Sequence, residues 1–478
     1  RRISTRQAAA RHHKRGRMSR SPSLLAVGLL LALAAGYTPS SRRSQLFRSR
    51  QPGRYLSTND GTLEQNSGNS KQNVSPETIR FNNRLNDLAQ KFDRNTARKV
   101  EDTLLDTLDR VERGEETKIL PNVVSFTAAI SAWARSSSPD AASNAEGLFD
   151  RMCEMYNKGC YPDLKPNAYA FNAVIAAWNR SREKGSADRA AQLLDRMWEL
   201  YEETQDEDVK PDSRTFNFVI NAIARSRVAG CADRARSLLG RMESLHYAGQ
   251  NDMQPDALTF GSIINAYANC GEEGSSDKAA ELLQSMESLY QLGYESAKPN
   301  TFCYNACMNA FAKAGGAENA KKAEQLLSIM EATYESGNED VKPDVISYST
   351  AINAAANSGI VGAGDKADAF LNNMLKRYLM GNESAKPNCI TYTSAIKCWV
   401  NVAKNCNNEE TATKAVQRAE ELLDQTSLLF LAGRNRAFKP TKVTFDLVSD
   451  AYKRMDDKKS VKRIEQLRQR IDSTRMKA

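Results

Sequence analysis

Very few residues in this 478-residue chain have the chemistry of a catalyst or a metal ligand. Histidine occurs only at His12, His13 and His246. The nine cysteines are scattered, without a Cys-x-x-Cys pair. Cys303 and Cys307, four apart and so on one helix face, have no third or fourth ligand near them in the sequence. No His-x-Glu with paired cysteines and no phosphate-cradling glycine loop occurs. The expectation is therefore no enzyme, no cofactor and no metal, with thiols buried in a reducing compartment. What does recur is a set of short hydrogen-bonding side chains at fixed places. Lys210-Pro211-Asp212 is followed by Phe216-Asn217, Lys298-Pro299-Asn300 by Tyr304-Asn305, and Lys342-Pro343-Asp344 by Tyr348-Ser349. Asn, Asp, Ser and Thr differ in donor and acceptor pattern, which is a chemistry of recognition rather than turnover.

The elements that carry these groups follow from the spacing. The prolines stand at 121, 166, 211, 255, 299, 343 and 387, in steps of 45, 45, 44, 44, 44 and 44 residues, which is the mark of a solenoid. Within each step, Phe171, Ile175 and Trp178 fall at i, i+4 and i+7, and the face recurs as Phe126/Ile130/Trp133, Phe216/Ile220/Ile223 and Tyr392/Ile396/Trp399. This is helix A. A Gly/Ser/Asn-rich turn leads to helix B, with Ala190, Leu193, Leu194 and Met197 repeated as Ala279, Leu282, Leu283 and Met286. Small Ala early in helix B permits close approach to helix A. Proline closes the unit, and the Asp or Asn after it can accept from the free N–H groups that open the next helix A. The fold expected is an all-α, right-handed solenoid superhelix of two-helix repeats. Eight repeats are read at 78–122, 123–167, 168–212, 213–256, 257–300, 301–344, 345–388 and 389–441, the last stretched by an insertion around Asn405–Thr413. A partial repeat and a polar capping helix fill 442–478.

The formal charge of +9 does not by itself imply an anionic partner. Residues 1–59 hold thirteen Lys/Arg and no acid, which leaves the rest at −4. That N-terminal stretch reads as a targeting presequence. Residues 18–36 contain a short apolar run from Leu24 to Gly36, too short to span a bilayer of about 20 helical residues, and 37–59 are rich in Arg and Ser. With Ala35-Gly36-Tyr37-Thr38-Pro39 between them, the two parts resemble the bipartite presequence of algae with complex plastids. The location expected is the plastid, with the mitochondrion as alternative, and no membrane span in the mature chain. Residues 60–77 read as a disordered linker.

The repeat resembles the pentatricopeptide repeat family on the closing Pro-Asp or Pro-Asn, the aromatic at position 4 and the Asn, Thr or Ser at position 5. Its units of 44–45 residues are longer than the family's usual 35; the excess is expected in the turn between helices and in helix B. The resemblance implies single-stranded RNA binding in organellar RNA metabolism, one base per repeat, with position 5 and the last residue reading the base. Asn82 with Asn122 then resembles a cytosine reader, and Thr127 with Asn167 an adenine reader. Asn172 with Asp212, Asn217 with Asp256, and Asn305 with Asp344 resemble uracil readers. Ser349 with Asn388 again resembles an adenine reader. Gly261 with Asn300 lacks the polar group, and Thr393 with Thr441 is off-pattern. The implied target is C-A-U-U-N-U-A-N. Capping explains the last residue of each pair but not why position 5 is Asn, Thr or Ser in seven of eight complete repeats.

Position 2, a base clamp in the family, is Ile79, Val124, Tyr169, Arg214, Leu258, Phe302, Ile346 and Ile390. Arg135, Arg180, Arg225 and Lys313 stand at the ends of four helices A, with Gln90, Asn269, Asn357 and Asn401 in the other places; cations there suit either a phosphate backbone or the helix C-terminus itself. The residues from Lys442 onward are too few for the metallonuclease domain of some relatives. A monomer is expected, with possible protein partners for effector activity. The alternative is an α-solenoid that binds proteins and no RNA, favoured by the acidic body.

Overall fold

In the computed structural model of the protein, the described residues are 74–474, apart from 91, 92, 116, 117, 160 and 434. The presequence expected at 1–59, and the linker as far as 73, lie outside them. The described residues form eighteen α-helices. The A helices are α1 (Pro76–Ala89), α3 (Val123–Arg135), α5 (Ala168–Arg180), α7 (Ser213–Ser226), α9 (Ala257–Cys270), α11 (Thr301–Ala314), α13 (Val345–Ala356), α15 (Cys389–Asn405) and α17 (Lys442–Arg454). The B helices alternate with them as α2 (Arg94–Glu112), α4 (Ala141–Asn157), α6 (Ser186–Thr204), α8 (Cys231–Tyr247), α10 (Ser275–Gln291), α12 (Ala317–Glu335), α14 (Ala363–Leu379), α16 (Glu409–Gly433) and α18 (Lys458–Ser473). They fall into two compact units that divide after residue 354, within α13.

In the first unit α1, α3, α5, α7, α9 and α11 each pack on their own B helix and successively on one another, and each after α1 also packs on the B helix before it. The residues that set this are those of the 3.6 period. Phe126, Ile130, Phe171, Ile175, Phe216 and Ile220 are all at most 1% exposed, and each such burial contributes on the order of 1.5–3 kcal/mol. Ala190, Ala235, Ala279 and Ala323 are wholly buried where helix B crosses helix A. In the second unit α15 packs on α14, α16 and α17, and α17 packs on α16 and α18.

Three features correct or extend the expectation. First, Ser75 caps α1 by accepting from the Thr78 backbone N–H, with Pro76 in the first turn, so Pro76 and Glu77 belong to the first helix and not to the linker. Second, the extra length is shared more widely than expected: in the first unit the turns between helices A and B run from two residues, at Gly315 and Gly316, to five, as at 136–140, and the long B helices, most of 17 to 19 residues, are in most cases followed by a one-turn 3₁₀ helix. Third, the sequence leaves open what form the insertion around Asn405–Thr413 takes. It is absorbed by α15, 17 residues long, and α16, 25 residues long, with three residues between them.

The 3₁₀ turns are Pro162–Leu164, Glu207–Val209, Asn251–Met253, Glu295–Ala297 and Glu339–Val341 in the first unit, and Glu383–Ala385 and Arg436–Phe438 in the second. Each ends on a plug into the core: Leu164, Val209, Met253, Ala297, Val341, Ala385 and Phe438 are at most 2% exposed. A glycine with φ near +100°, as at Gly293 (φ 97) and Gly337 (φ 103), turns the chain from helix B into the plug. The lysine before the proline then lies over an aromatic ring at the end of the same helix B, as Lys210 over Tyr201, Lys298 over Tyr290 and Lys342 over Tyr334.

Candidate nucleic-acid interface

Every repeat junction is built on the residue after the proline. Asn122, Asn167, Asp212, Asp256, Asn300 and Asp344 each accept the backbone N–H three residues on, from Ser125, Ala170, Thr215, Thr259, Cys303 and Ser347 respectively. Capping of this kind stabilises a helix by about 0.5–2 kcal/mol. Where the third helical residue bears a hydroxyl, the bond is returned: the backbone N–H groups of Asn122, Asp212, Asp256 and Asp344 donate to Ser125, Thr215, Thr259 and Ser347. These four hydroxyl residues are wholly buried.

Position 5 of the preceding repeat reaches into the same junction. Asn82 Nδ2 donates to Asn122 Oδ1 at 3.1 Å, Asn217 Nδ2 lies 3.3 and 3.4 Å from the two Asp256 oxygens, and Asn305 Nδ2 donates to Asp344 Oδ1 at 3.1 Å. Three of the pairs named from the sequence are thus in direct contact across 39 or 40 residues. The three asparagines are only 7–8% exposed. The polar fifth position therefore has a structural partner, contrary to the argument that local capping leaves it unexplained: the bond joins one repeat to the next, out of reach of any local pattern.

The remaining pairs differ. Thr127 donates to the Val123 carbonyl of its own helix at 2.7 Å, while Asn167 caps α5. Asn172 Oδ1 is buried without a partner, and Asp212 is held by the Thr215 hydroxyl at 2.9 Å. Ser349 is buried in the first unit, and Asn388 caps α15 in the second by accepting from the Ile390 and Thr391 N–H groups. At Gly261 the missing side chain is replaced by a neighbour: a Cβ there would stand 2.6 Å from the Phe302 ring. In the second unit Thr393 meets the Thr444 hydroxyl at 2.9 Å, and the Thr441 backbone N–H donates to that same hydroxyl.

Position 2 lies beside each junction and points out of the core. Ile79, Val124, Tyr169, Leu258, Phe302, Ile346 and Ile390 are 37–66% exposed, and Arg214 is exposed. An exposed apolar side chain at one register position in seven of the eight repeats is not the scatter expected of surface hydrophobics. In the second unit the same register position also holds Val443, 61% exposed in α17, which sequence reasoning missed although it sits two residues after Thr441.

The cations at the ends of the A helices form a second row. Arg135, Arg180 and Arg225 donate to the carbonyls of Ala89, Ala134 and Asn179, each at the end of the preceding helix A, and Lys313 Nζ donates to Asn269 Oδ1. Each ties two repeats together through one donor, and a guanidinium keeps further N–H groups. Burial, and then the like charges of Arg135 and Arg225, hold the Arg180 pKa below its ordinary value. Burial, and then the charge of Arg227, lower that of Lys313. The B helices contrast with this: Arg151, Arg196, Arg234, Lys278 and Lys322 pair with Asp109, Asp150, Asp188, Asp233 and Asp277 of the preceding B helix at 2.9–3.7 Å. The B layer is neutralised in register, whereas the A-helix row in the first unit repels itself and suits an anion.

Among the described residues no group of three His, Cys, Asp or Glu side chains could hold a metal, and no helix is long and apolar enough to cross a membrane. Cys303 and Cys307 are buried separately, with thiols pushed up to about 11 and about 12 by desolvation.

No protein-family model matches the chain, and no curated protein matches it. Among solved structures the chain is similar to the pentatricopeptide repeat protein PPR10 in complex with an 18-nt psaJ RNA element, at 18% identity and a TM-score of 0.40. The match covers 84% of this chain and 57% of that one, so the chain spans less than two thirds of the length of that protein. A cysteine-to-serine variant of PPR10 with the same RNA element matches with the same figures. Both carry the family name that the repeat motifs of this chain resemble.

Proposed function

We propose that this protein binds single-stranded RNA with sequence selectivity, one base per repeat, and acts on transcripts inside an organelle. The carrying observation is the repeated juxtaposition in the first unit of an exposed apolar side chain at position 2 with a polar pair at the repeat boundary. Aromatic and aliphatic surfaces of this kind hold bases by stacking, at about 1–3 kcal/mol per base for aromatic platforms. The polar pair beside them supplies the hydrogen bonds that distinguish one base edge from another. The row of Arg135, Arg180, Arg225 and Lys313 suits the phosphate backbone. The plastid is the proposed location, from the composition of residues 18–59. The role would be to occupy a transcript, altering its stability, processing or translation, and no catalysis is proposed.

The test is binding of the full chain to RNA oligomers containing C-A-U-U-N-U-A-N against shuffled oligomers of the same composition, at moderate salt. Tighter binding to the ordered sequence is expected. Equal affinity for both would sink the selective reading. Recovery of stable protein partners from nuclease-treated organelles, with no crosslinked RNA, would favour a protein-binding scaffold.

A further inference from the structure

A buried hydroxyl stands at position 3 of four helices A in the first unit, Ser125, Thr215, Thr259 and Ser347, one residue away from the clamp position. It does not do the same thing at every junction. Ser125 Oγ accepts from the Asn122 N–H and lies 2.6 Å from Asn82 Oδ1; Thr259 Oγ1 accepts from the Asp256 N–H and lies 2.6 Å from Asn217 Oδ1. The Asp256 carboxylate, and Asn122 Oδ1, which takes the Val124 and Ser125 N–H groups, can only accept, so the end of each asparagine that faces them is nitrogen and the end 2.6 Å from the hydroxyl is oxygen, which receives the hydroxyl proton. This settles which end of the asparagine is oxygen. Turning the amide over would set its carbonyl oxygen against that acceptor and take from the hydroxyl the oxygen that receives its proton.

Thr259 Oγ1 also lies 2.9 Å from Asp256 Oδ1, and Ser125 Oγ 3.3 Å from Asn122 Oδ1, but at two other junctions the hydroxyl has that cap contact alone. Thr215 Oγ1 donates to Asp212 at 2.9 Å and Ser347 Oγ to Asp344 at 3.0 Å, and the oxygens of Asn172 and Asn305 are buried without a partner. The hydroxyl supports the cap there and leaves the amide oxygen unheld.

We propose that Ser125 and Thr259 are positioning residues for base selectivity: they fix the amide orientation of Asn82 and Asn217, and with it the donor and acceptor pattern those residues present. This deepens the RNA-binding reading and rests on it. It predicts that junctions with the same Asn–Asp pair discriminate unequally. The Asn217 junction, with its amide locked, is the more selective, and the Asn172 junction the less.

The experiment compares full-length Thr259→Val with Thr215→Val, each replacing a hydroxyl by a methyl in the same capping box. Probes are the C-A-U-U-N-U-A-N oligomer with each of the four bases at its third position, facing the Asn172 junction, or its fourth, facing the Asn217 junction. Thr259→Val is expected to shrink the preference at the fourth base by about fivefold, the worth of one hydrogen bond, and to leave the third unchanged. Thr215→Val is expected to leave both preferences within about twofold while lowering unfolding stability to a similar extent. Equal loss of preference in both variants, or in neither, overturns the proposal. A second readout needs no RNA: hydrogen exchange of the Asn217 side-chain amide by NMR, slow in the wild type and accelerated in Thr259→Val. If the wild type shows no base preference anywhere, base reading fails, and the exchange measurement still decides whether Thr259 holds the amide.

Discussion

Arg135, Arg180 and Arg225 offer the sharpest test of where an RNA backbone would run. Each spends one N–H on the preceding helix's terminal carbonyl, and Arg180 lies within the fields of the other two. On single strands, log K falls with log salt by about 0.7 for each phosphate neutralised. The three arginines with Lys313 would contribute a slope of about −2.8, equivalent to a ~50-fold loss of affinity between about 50 and 200 mM salt. Replacing all three arginines by Gln is expected to reduce the slope by about 2.1. Lost hydrogen bonds to the carbonyls cost about 0.5–1.5 kcal/mol each, offset in part by relief of like-charge repulsion, so the variant should still unfold cooperatively. The control removes the same charge from the other layer: Arg234, Lys278 and Lys322, ion-paired with Asp188, Asp233 and Asp277, each replaced by Gln. It should leave the slope unchanged. Fluorescence anisotropy across a salt series reads both. Equal slopes in the two triple variants would refute the placement, because the effect would then be one of net charge.

Gly261→Asn is expected to destabilise the protein by about 1–3 kcal/mol, because its side chain must displace the Phe302 ring. The loss should be smaller in a Phe302→Ala background, and a double-mutant cycle by urea unfolding that showed strict additivity would contradict the contact. Glu420, 9% exposed, accepts from the Tyr452 hydroxyl and from Arg463. Glu420→Leu should leave the buried Tyr452 hydroxyl without its acceptor, while the exposed Arg463 turns to water, and loosen the C-terminal pair of helices by about 1–3 kcal/mol, seen as faster backbone hydrogen exchange at 442–473 than at 389–405. Burial pushes the Cys153, Cys307 and Cys398 thiols up to about 11, 12 and 12. Iodoacetamide at neutral pH should therefore modify Cys270 and Cys406, which are partly exposed, before the buried cysteines. Prompt native labelling of Cys307, read by mass spectrometry, would contradict this burial.

The A-helix stripe, the B-helix stripe and the proline boundary were legible because each is set by contacts within one repeat and recurs at a fixed step. Phe171, Ile175 and Trp178 announce a helix face whatever lies beyond it. The 3₁₀ plugs were not legible, since three residues such as Glu339–Val341 are too short to show a period, and their one buried side chain ranges from Ala297 to Phe438. The junction bonds were hidden for another reason. Asn217 and Thr259 are 42 residues apart, and Asn82 and Ser125 are 43 apart. Only alignment of one repeat on the next brings them together. Such an alignment shows a hydroxyl at the third position in Ser125, Thr215, Thr259, Ser347, Thr391 and Thr444, a signal that was present and unread.

The burial of the asparagines constrains how a base could be read. At the Asn217 junction one amide N–H faces Asp256 and the amide oxygen takes the Thr259 proton. What remains unspent is the second amide N–H, together with the capacity of Asp256 that the cap does not use. A site so depleted offers about two hydrogen bonds, enough for part of one base edge and no more, which allows about 1–3 kcal/mol of discrimination if groove-reading bidentate contacts are the guide. Most of the affinity must then come from the clamp row and the arginines, neither of which distinguishes one sequence from another. On the proposed reading, selectivity is spread thinly over the junctions and multiplies along the chain, so that no single pair makes the target. The same bonds that read would also hold repeat to repeat, and a substitution such as Asn217→Ala should loosen the stack and blur one base together.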